Sequence, residues 1–500
     1  MSTPTTKKKN SNSDHKTNLR TKWGYTMQWT PQHLSQDEIE QLRAQFDERG
    51  AEALQRIQAI VARQGPGEKG SKPDMFAVLR DHHEEDDFLA AYWEHLHAVP
   101  EWVDWKQIER GQRFFARYFV ANCSLFAFQA FVRDNTATPG VAEVVSRTGG
   151  LAVKHLLTRL IETFTWFIQI THDLQAIQPG GQGHISTIRV RLLHSSVRQR
   201  ILELEKTRPG YFNVEKYGPP VNDLDAVHAI TLFSCKAIAL FPLLEGYTAK
   251  AILTQHTGRH AKMGIYPTDQ EAADFIALFR YIAYIIGAPN DGKYWADITK
   301  AKATFESMLW YELVPNDTSK ILAQNFIKWI EDQPPAYFSL GFMEAACRWM
   351  NGNEMCDALG LGRPALHHYA AFAGHNIIVS SLAWAQRIFP SLDRFVVAYT
   401  RKTLHNALTK HVTGPTVPTN GIPPYSFKYV PNHGQKMEVD AQKPDPARKQ
   451  RIRPFECVFM AAFIVAALLS LGLAVGAVRM LMRLNGTFGV MSWIYGGRGD

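Results

Sequence analysis

His194 is the residue with the clearest potential for metal chemistry. It lies in an apolar stripe at helical spacing, formed by Val190, Leu193, Val197, Ile201 and Leu204. A haem iron takes one neutral imidazole from a rigid apolar wall, with cations near the propionates. Arg191 and Arg198, each about one turn from His194, could supply those cations. The alternatives are a core histidine hydrogen-bonded to a backbone carbonyl and arginines on a solvated helix face.

Other clusters of potential ligands fit a metal less well. The run 81–87 (DHHEEDD) and the pair His367 and His368 are contiguous, whereas ligation from a helix needs partners at i, i+3 or i+4. The segment 360–363 (GLGR) is too short for a dinucleotide loop without a preceding strand. The chain contains no GxSxG, Walker or HExxH motif, so hydrolase, kinase and zinc-protease functions lose their usual support.

Three predicted helices would position these residues. Thr268 and Glu271 form a capping box, and the apolar pattern after them ends at Gly287. A second helix is predicted over 151–172, with one broad apolar stripe, and a third, which carries His194, over 186–206. Alternating strand patterns are scarce, so the sequence favours an all-α fold.

An uncharged segment, Cys457–Val478, predicts a membrane span near the C-terminus. Its 22 residues would extend about 33 Å as a helix, enough for a hydrocarbon core of about 30 Å. A buried core helix is the alternative, but such helices are shorter and carry polar positions. Cations are denser before the segment than after it, which places the body in the cytosol and the tail in a lumen.

The composition indicates a membrane-bound protein with no nucleic-acid partner. Much of the net charge of +8 lies in the N-terminal tail and beside the span, where it would meet membrane lipid. The five cysteines are scattered without CxxC spacing, as expected for reduced cytosolic thiols. We predict a disordered basic tail over 1–30, a helical domain over 31–410, a Pro-rich basic tether over 411–454, a transmembrane helix over 455–482 and a lumenal tail over 483–500. The composition change at Phe455 predicts that the body is soluble without the span.

Several short motifs, taken in order, resemble a known family. They are 99–104 (VPEWVD), 108–111 (IERG), 147–149 (RTG), 159–163 (RLIET), 189–198 (RVRLLHSSVR), 219–222 (PPVN) and the helix ending at Gly287. The region from about residue 90 to about residue 290 thereby resembles the latex-clearing rubber oxygenases and the endoplasmic-reticulum-bound oxygenase of mycophenolic acid biosynthesis.

The resemblance implies roles for individual residues. It makes His194 the proximal ligand of haem b, places Arg159 and Thr163 on the distal side, and makes Glu143 a candidate base. The rubber oxygenases have a lysine where this chain has Glu162, so an amine cannot cap the iron here. An Arg159–Glu162 surface pair is the alternative for that carboxylate.

We therefore expect an all-α, globin-like helical haem-binding domain with a single C-terminal transmembrane helix. The implied reaction uses O₂ to cleave a carbon–carbon double bond in an apolar, prenylated or polyketide-derived metabolite, giving an aldehyde or ketone. The alternatives are a haem hydroxylase or epoxidase, and a non-catalytic haem- or lipid-binding protein at the membrane. We expect a single-pass protein of the endoplasmic reticulum with a cytosolic catalytic domain, and the sequence leaves its oligomeric state open.

Overall fold

The computed structural model describes residues 18–64, 73–147, 153–237, 263–290, 292–333, 337–412 and 452–495. Within these ranges the α-helices are Gln36–Ala44, Glu48–Gln64, Met75–His82, Asp87–His97, Trp105–Arg117, Phe119–Leu125, Pro139–Arg147, Val153–Thr171, Leu174–Ile177, Gln182–Thr207, Val214–Tyr217, Asp223–Ala237, Asp269–Ile286, Ile298–Tyr311, Asp317–Ile330, Leu340–Asn351, Asn353–Ala358, Leu366–Ile388, Pro390–Val412 and Pro454–Tyr495. A 3₁₀ turn, His83–Glu85, and a π-helical segment, Phe126–Asn135, complete the helices. The all-α prediction is confirmed.

One β-hairpin precedes these helices. Strands Leu19–Lys22 and Tyr25–Gln28 pair antiparallel, and Trp23 in the turn donates from its indole nitrogen to the carbonyl of Leu313 at 2.9 Å. The sequence predicted a disordered tail through residue 30, but these ten residues are ordered because their aromatic side chains pack on the body. Residues 1–17 of the expected tail lie outside the described ranges.

The helix Asp269–Ile286 crosses the centre of the core, and its predicted ends are confirmed. Thr268 and Glu271 cap each other reciprocally, and Gly287 ends the helix in the left-handed region with φ 82°. Gly287 is also a point of close packing, since a Cβ there would lie 2.5 Å from Nε of Arg191 and 2.7 Å from Oδ2 of Asp47. Only glycine satisfies both the backbone angle and the available space.

Two long helices run antiparallel beside it. The Arg159 helix is Val153–Thr171, and the His194 helix is Gln182–Thr207, which begins four residues earlier than predicted. They touch where Gly183 meets the backbone of Gln169, and where Trp166 donates to the hydroxyl of Thr187 at 3.0 Å. These two contacts fix the register between the helices.

A single helix, Pro454–Tyr495, here called the span helix, ends the described chain. Its part Pro454–Met480 is long and apolar enough to cross a membrane, as the sequence predicted. Its first turns nevertheless belong to the body, because Glu456 is fully buried and accepts a hydrogen bond from the backbone of Ser339 at 2.7 Å. The boundary of the body therefore lies beyond Phe455. Residues 413–451, which include most of the expected tether, lie outside the described ranges.

Candidate functional site

His194 lies partly buried on the His194 helix and differs from an ordinary core histidine. Burial lowers its pKa to about 4, and the nearby Arg198 acts in the same direction, so the imidazole is neutral at neutral pH. The described residues give this ring neither a hydrogen bond nor an ion pair. His184 on the same helix shows the core alternative, since its Nε2 lies 2.8 Å from the carbonyl oxygen of Leu96. The His194 imidazole is therefore in the form that binds metals.

Arg191 is held by a carboxylate that the sequence gave no reason to pair with it. Its Nε and Nη2 each donate to Asp47 at 2.7 Å, and its Nη1 donates to the carbonyl of Ile285 at 3.3 Å. The side chain is 3% exposed, so a solvated face is excluded. Asp47 also accepts from the backbone of Gly50 at 3.1 Å, so this pair ties the His194 helix to the start of helix Glu48–Gln64.

Arg198 is equally buried, but none of the described carboxylates contacts it directly. Its Nε donates to the carbonyl of Pro220 at 3.0 Å, and its Nη2 donates to that of Val221 at 2.6 Å. Within the described ranges, Nη1 of Arg198 and Oγ of the adjacent Ser195 are buried and have no hydrogen-bond partner. Burial lowers the pKa of Arg198. The result is a buried cation with an unused donor one turn from His194.

The helix register relates the Arg159 helix to His194. Trp166 faces Thr187, and Gln169 faces Gly183. Because the helices are antiparallel and rise equally per residue, a step back along one helix matches a step forward along the other. Equal steps along both helices put position 159 level with His194. The side chain at 159 lies outside the described ones, and Thr163 is partly buried. The distal roles of both residues stay predictions.

Glu143 lies on the Glu143 helix, Pro139–Arg147, with both carboxylate oxygens engaged. Oε1 accepts from the hydroxyl of Thr318 at 3.0 Å, and Oε2 lies 3.3 Å from Nε of Arg147. The next residue, Val144, shares a small apolar cluster with Val197. That cluster also contains Ile201 and Leu204 of the His194 helix, and the role of Glu143 as a base stays a prediction.

The direction of Glu162 is now defined. The residue is 8% exposed, so its carboxylate points into the protein. The alternative that this carboxylate lies at the surface is therefore wrong, whereas its pairing with Arg159 stays a prediction, because the side chain at 159 lies outside the described ones.

Two titratable groups with shifted pKa values, the partly buried Asp225 and the buried His228, escaped the sequence analysis. Burial raises the pKa of Asp225 to about 7, with a further contribution from Glu312. Its Oδ1 lies next to Gly140 of the Glu143 helix. Burial lowers the pKa of His228 to about 4, and its Nε2 lies 3.3 Å from the hydroxyl of Thr138. The cap that Asn222 provides to the amide of Asp225 was readable from the sequence, but the burial was not.

A cavity of about 320 Å³ lies elsewhere, between helices Trp105–Arg117 and Asp269–Ile286. Its lining includes Trp102 and Arg280, whose guanidinium stacks 4.0 Å from the Trp102 ring. His194 does not line it, so this cavity is separate from the candidate site.

Fold and site together define an all-helical protein whose candidate centre is a neutral histidine on a buried helix. The catalytic-domain model of the ER-bound oxygenase mpaB/B' and rubber oxygenase family matches residues 116–384, more than half of the chain. The chain belongs to this family of oxygenases, and the matched segment includes every site residue predicted above. The structure of latex clearing protein LCP in the closed state has 17% sequence identity and a TM-score of 0.49 over 72% of this chain and 90% of that chain. No curated protein matches the chain.

Proposed function

We propose that this chain is a membrane-anchored haem b oxygenase that cleaves a carbon–carbon double bond in an apolar, prenylated or polyketide-derived metabolite. The products are an aldehyde or a ketone. The observation that carries the proposal is His194, a neutral imidazole that no described residue engages, within the segment that matches the oxygenase family.

The residues around His194 fit a haem. His194 would hold the iron, and the unused donors of Arg198 and Ser195 would bind a propionate. Arg191 is the weaker candidate for a propionate, because Asp47 already engages two of its nitrogens. Haem, when bound, supplies a redox-active iron at which O₂ reacts.

The remaining residues act on charge and protons. Arg159 would stabilise negative charge that develops on oxygen, since a fixed cation in a dry site is far more effective than one in water. Thr163, one turn further along the same helix, would position the substrate or donate a hydrogen bond. Glu143 would accept an allylic proton from the substrate, with Arg147 and Thr318 holding its carboxylate in place.

The span helix explains how the enzyme would meet such a substrate. A prenylated compound partitions into lipid, and a single span keeps the catalytic domain at that surface. The cations upstream of the span favour a cytosolic domain, and we propose the endoplasmic reticulum as the membrane. In intact microsomes, protease should digest a tag at the N-terminus and spare one after Asp500. The opposite pattern would reverse the orientation.

A non-catalytic haem- or lipid-binding protein is the second candidate. The observation in its favour is that both carboxylate oxygens of Glu143 are engaged, as they would be if Glu143 had a purely structural role. A hydroxylase or epoxidase differs from the first proposal only in its products.

The spectrum and oxygen uptake of the full chain in phosphatidylcholine vesicles separate these functions. A Soret band after haem supplementation, and O₂ uptake with a prenylated phenol that yields a shortened carbonyl compound, are expected. Haem binding without O₂ uptake would support the binding protein, and an alcohol or epoxide product would identify the hydroxylase or epoxidase. A folded, colourless protein would overturn the haem assignment.

A further inference from the structure

A patch of large apolar side chains is exposed at the junction of helices Leu366–Ile388 and Pro390–Val412. Its members are between 39% and 66% exposed: Ile378, Leu382, Trp384, Ile388, Phe389, Phe395 and Tyr399. Trp384 and Ile388 lie one helical turn apart, as do Phe395 and Tyr399, so each helix presents one continuous apolar face. Contiguous apolar surfaces of this kind mark contact sites for other molecules or for membranes.

The patch is continuous with the span helix. The helix Leu366–Ile388, here called the supporting helix, packs along the first turns of the span helix. His368 lies 3.8 Å from Glu456, and the ring of His375 lies edge to face on Phe459 with centroids 5.1 Å apart. Gly374 allows this approach, because a Cβ there would overlap the carbonyl oxygen of Phe459.

These contacts also give the direction of the two helices. His368 contacts Glu456, and the later residue His375 contacts the later residue Phe459. The two helices are therefore parallel. Ile388 lies 13 residues after His375, or about 20 Å further along the supporting helix. The patch therefore lies beside the apolar part of the span helix, at the end of the body from which that helix emerges.

Two charged side chains at the same junction are turned back into the body, whereas Arg394 and Lys402 are exposed. Arg387 donates to the hydroxyl of Tyr118 at 3.2 Å and to Glu271 at 3.1 Å. Asp393 is 1% exposed and accepts from Nε of Arg117 at 2.6 Å. The outward face keeps its apolar side chains, among them a tryptophan and a tyrosine, the residue types enriched where a bilayer meets water.

We propose that this patch is a second membrane contact, in which the junction of the two helices inserts into the leaflet that the span helix enters. The occupant is bilayer lipid, and the proposal rests on the membrane anchoring proposed above. With two points of contact, the span and the patch, the catalytic domain has a fixed orientation on the bilayer.

The test places an environment-sensitive label at the patch in the full chain. Cys457→Ser removes the exposed thiol. The four remaining thiols react slowly, because burial raises the pKa of Cys123 and the other three are buried. Ile388→Cys, or Phe395→Cys as a second position, is then labelled with nitrobenzoxadiazole. The protein is reconstituted in phosphatidylcholine vesicles that contain a lipid spin-labelled near its head group. Lys320→Cys, on the exposed surface of another helix, is the matched control, and Leu471→Cys reports on the span.

The expected result is that labels at 388 and 395 lose most of their fluorescence to the spin-labelled lipid, whereas the label at 320 does not. Quenching at 471 without quenching at 388 and 395 would overturn the second contact and leave the anchor intact. The absence of quenching at 471 as well would overturn the anchoring itself. Energy transfer between labels at 388 on separate chains, without quenching by lipid, would make the patch a self-association surface and would also overturn the proposal.

Discussion

Arg191 and Arg198 lie two turns apart on one helix, on either side of His194, and the protein uses them differently. Both are almost fully buried, but Arg191 is neutralised by Asp47, whereas Arg198 is held by two backbone carbonyls and keeps one unused donor. Burial alone therefore does not distinguish a structural arginine from one that is available to a ligand. The position of the nearest carboxylate distinguishes them.

The largest effect is expected at the residue between the two arginines. His194→Ala should remove the haem, because no other described imidazole on this helix is left without a partner. The Soret band of the purified full chain measures the effect, with His367→Ala as the control that keeps it. Full haem occupancy in His194→Ala would refute the proximal assignment and the roles inferred from it for Arg159, Thr163 and Glu143.

Removal of the Asp47 charge tests the structural side of the comparison. Asp47→Asn leaves the Arg191 cation buried without a counter-charge, which should lower the free energy of unfolding by about 3–5 kcal/mol. Denaturant unfolding measures the change. Asp81→Asn removes a carboxylate from an exposed pair with Arg80 and should have no measurable effect. Equal stabilities of Asp47→Asn and the native chain would mean that Arg191 does not have the structural role assigned to it.

Arg198→Lys tests the ligand side. Lysine keeps the charge but loses the planar fork, so the carbonyls of Pro220 and Val221 and a propionate can no longer be bound together. Haem should dissociate about tenfold more readily, in line with the loss of one charge-assisted hydrogen bond of about 1.5 kcal/mol. Transfer of haem to apomyoglobin measures this, with the exposed Arg200→Lys as the control. Unchanged transfer in Arg198→Lys would remove Arg198 from the haem site.

A pH-dependent effect is expected at Asp225, whose charge acts on Arg198 from a distance. Its pKa is raised from 3.8 to about 7, so its contribution to stability is fully present below pH 3.8 and is lost as the pH rises through 7. Asp225→Asn lacks this loss and should raise the melting temperature more at pH 8 than at pH 5. Asp317→Asn, at an exposed position, should show no such difference. Equal shifts at both pH values would show that Asp225 ionises without cost.

Local chemistry made some elements predictable. The capping box at Thr268 and Glu271 and the end at Gly287 depend only on neighbouring residues, and both were found as expected. The His194 helix was predicted too short because its first residues, Gln182 to Ile185, include a glycine, and its N-cap Gly181 makes no side-chain cap. The hairpin at 19–28 was missed because its partners lie almost 300 residues further along the chain.

The candidate site was predictable only in part. The periodicity around His194 identified the buried helix and the flanking arginines. The partner of Arg191 was not readable, since Asp47 is separated from it by 144 residues, and neither was the inward direction of Glu162. Which carboxylate meets which cation depends on how helices pack, and a single sequence does not record that.

The burial of Glu456 affects how the protein can be made without a bilayer. A chain cut at Pro454 would leave the amide of Ser339 unpaired and would open the aromatic contact between Phe342 and Phe459 to water. A cut after Ala466 keeps these contacts and removes most of the apolar surface, because the side chains from 467 to 480 are all exposed. The span helix therefore cannot be exchanged as a whole for an unrelated transmembrane helix. A replacement would have to keep the first three turns of the span helix.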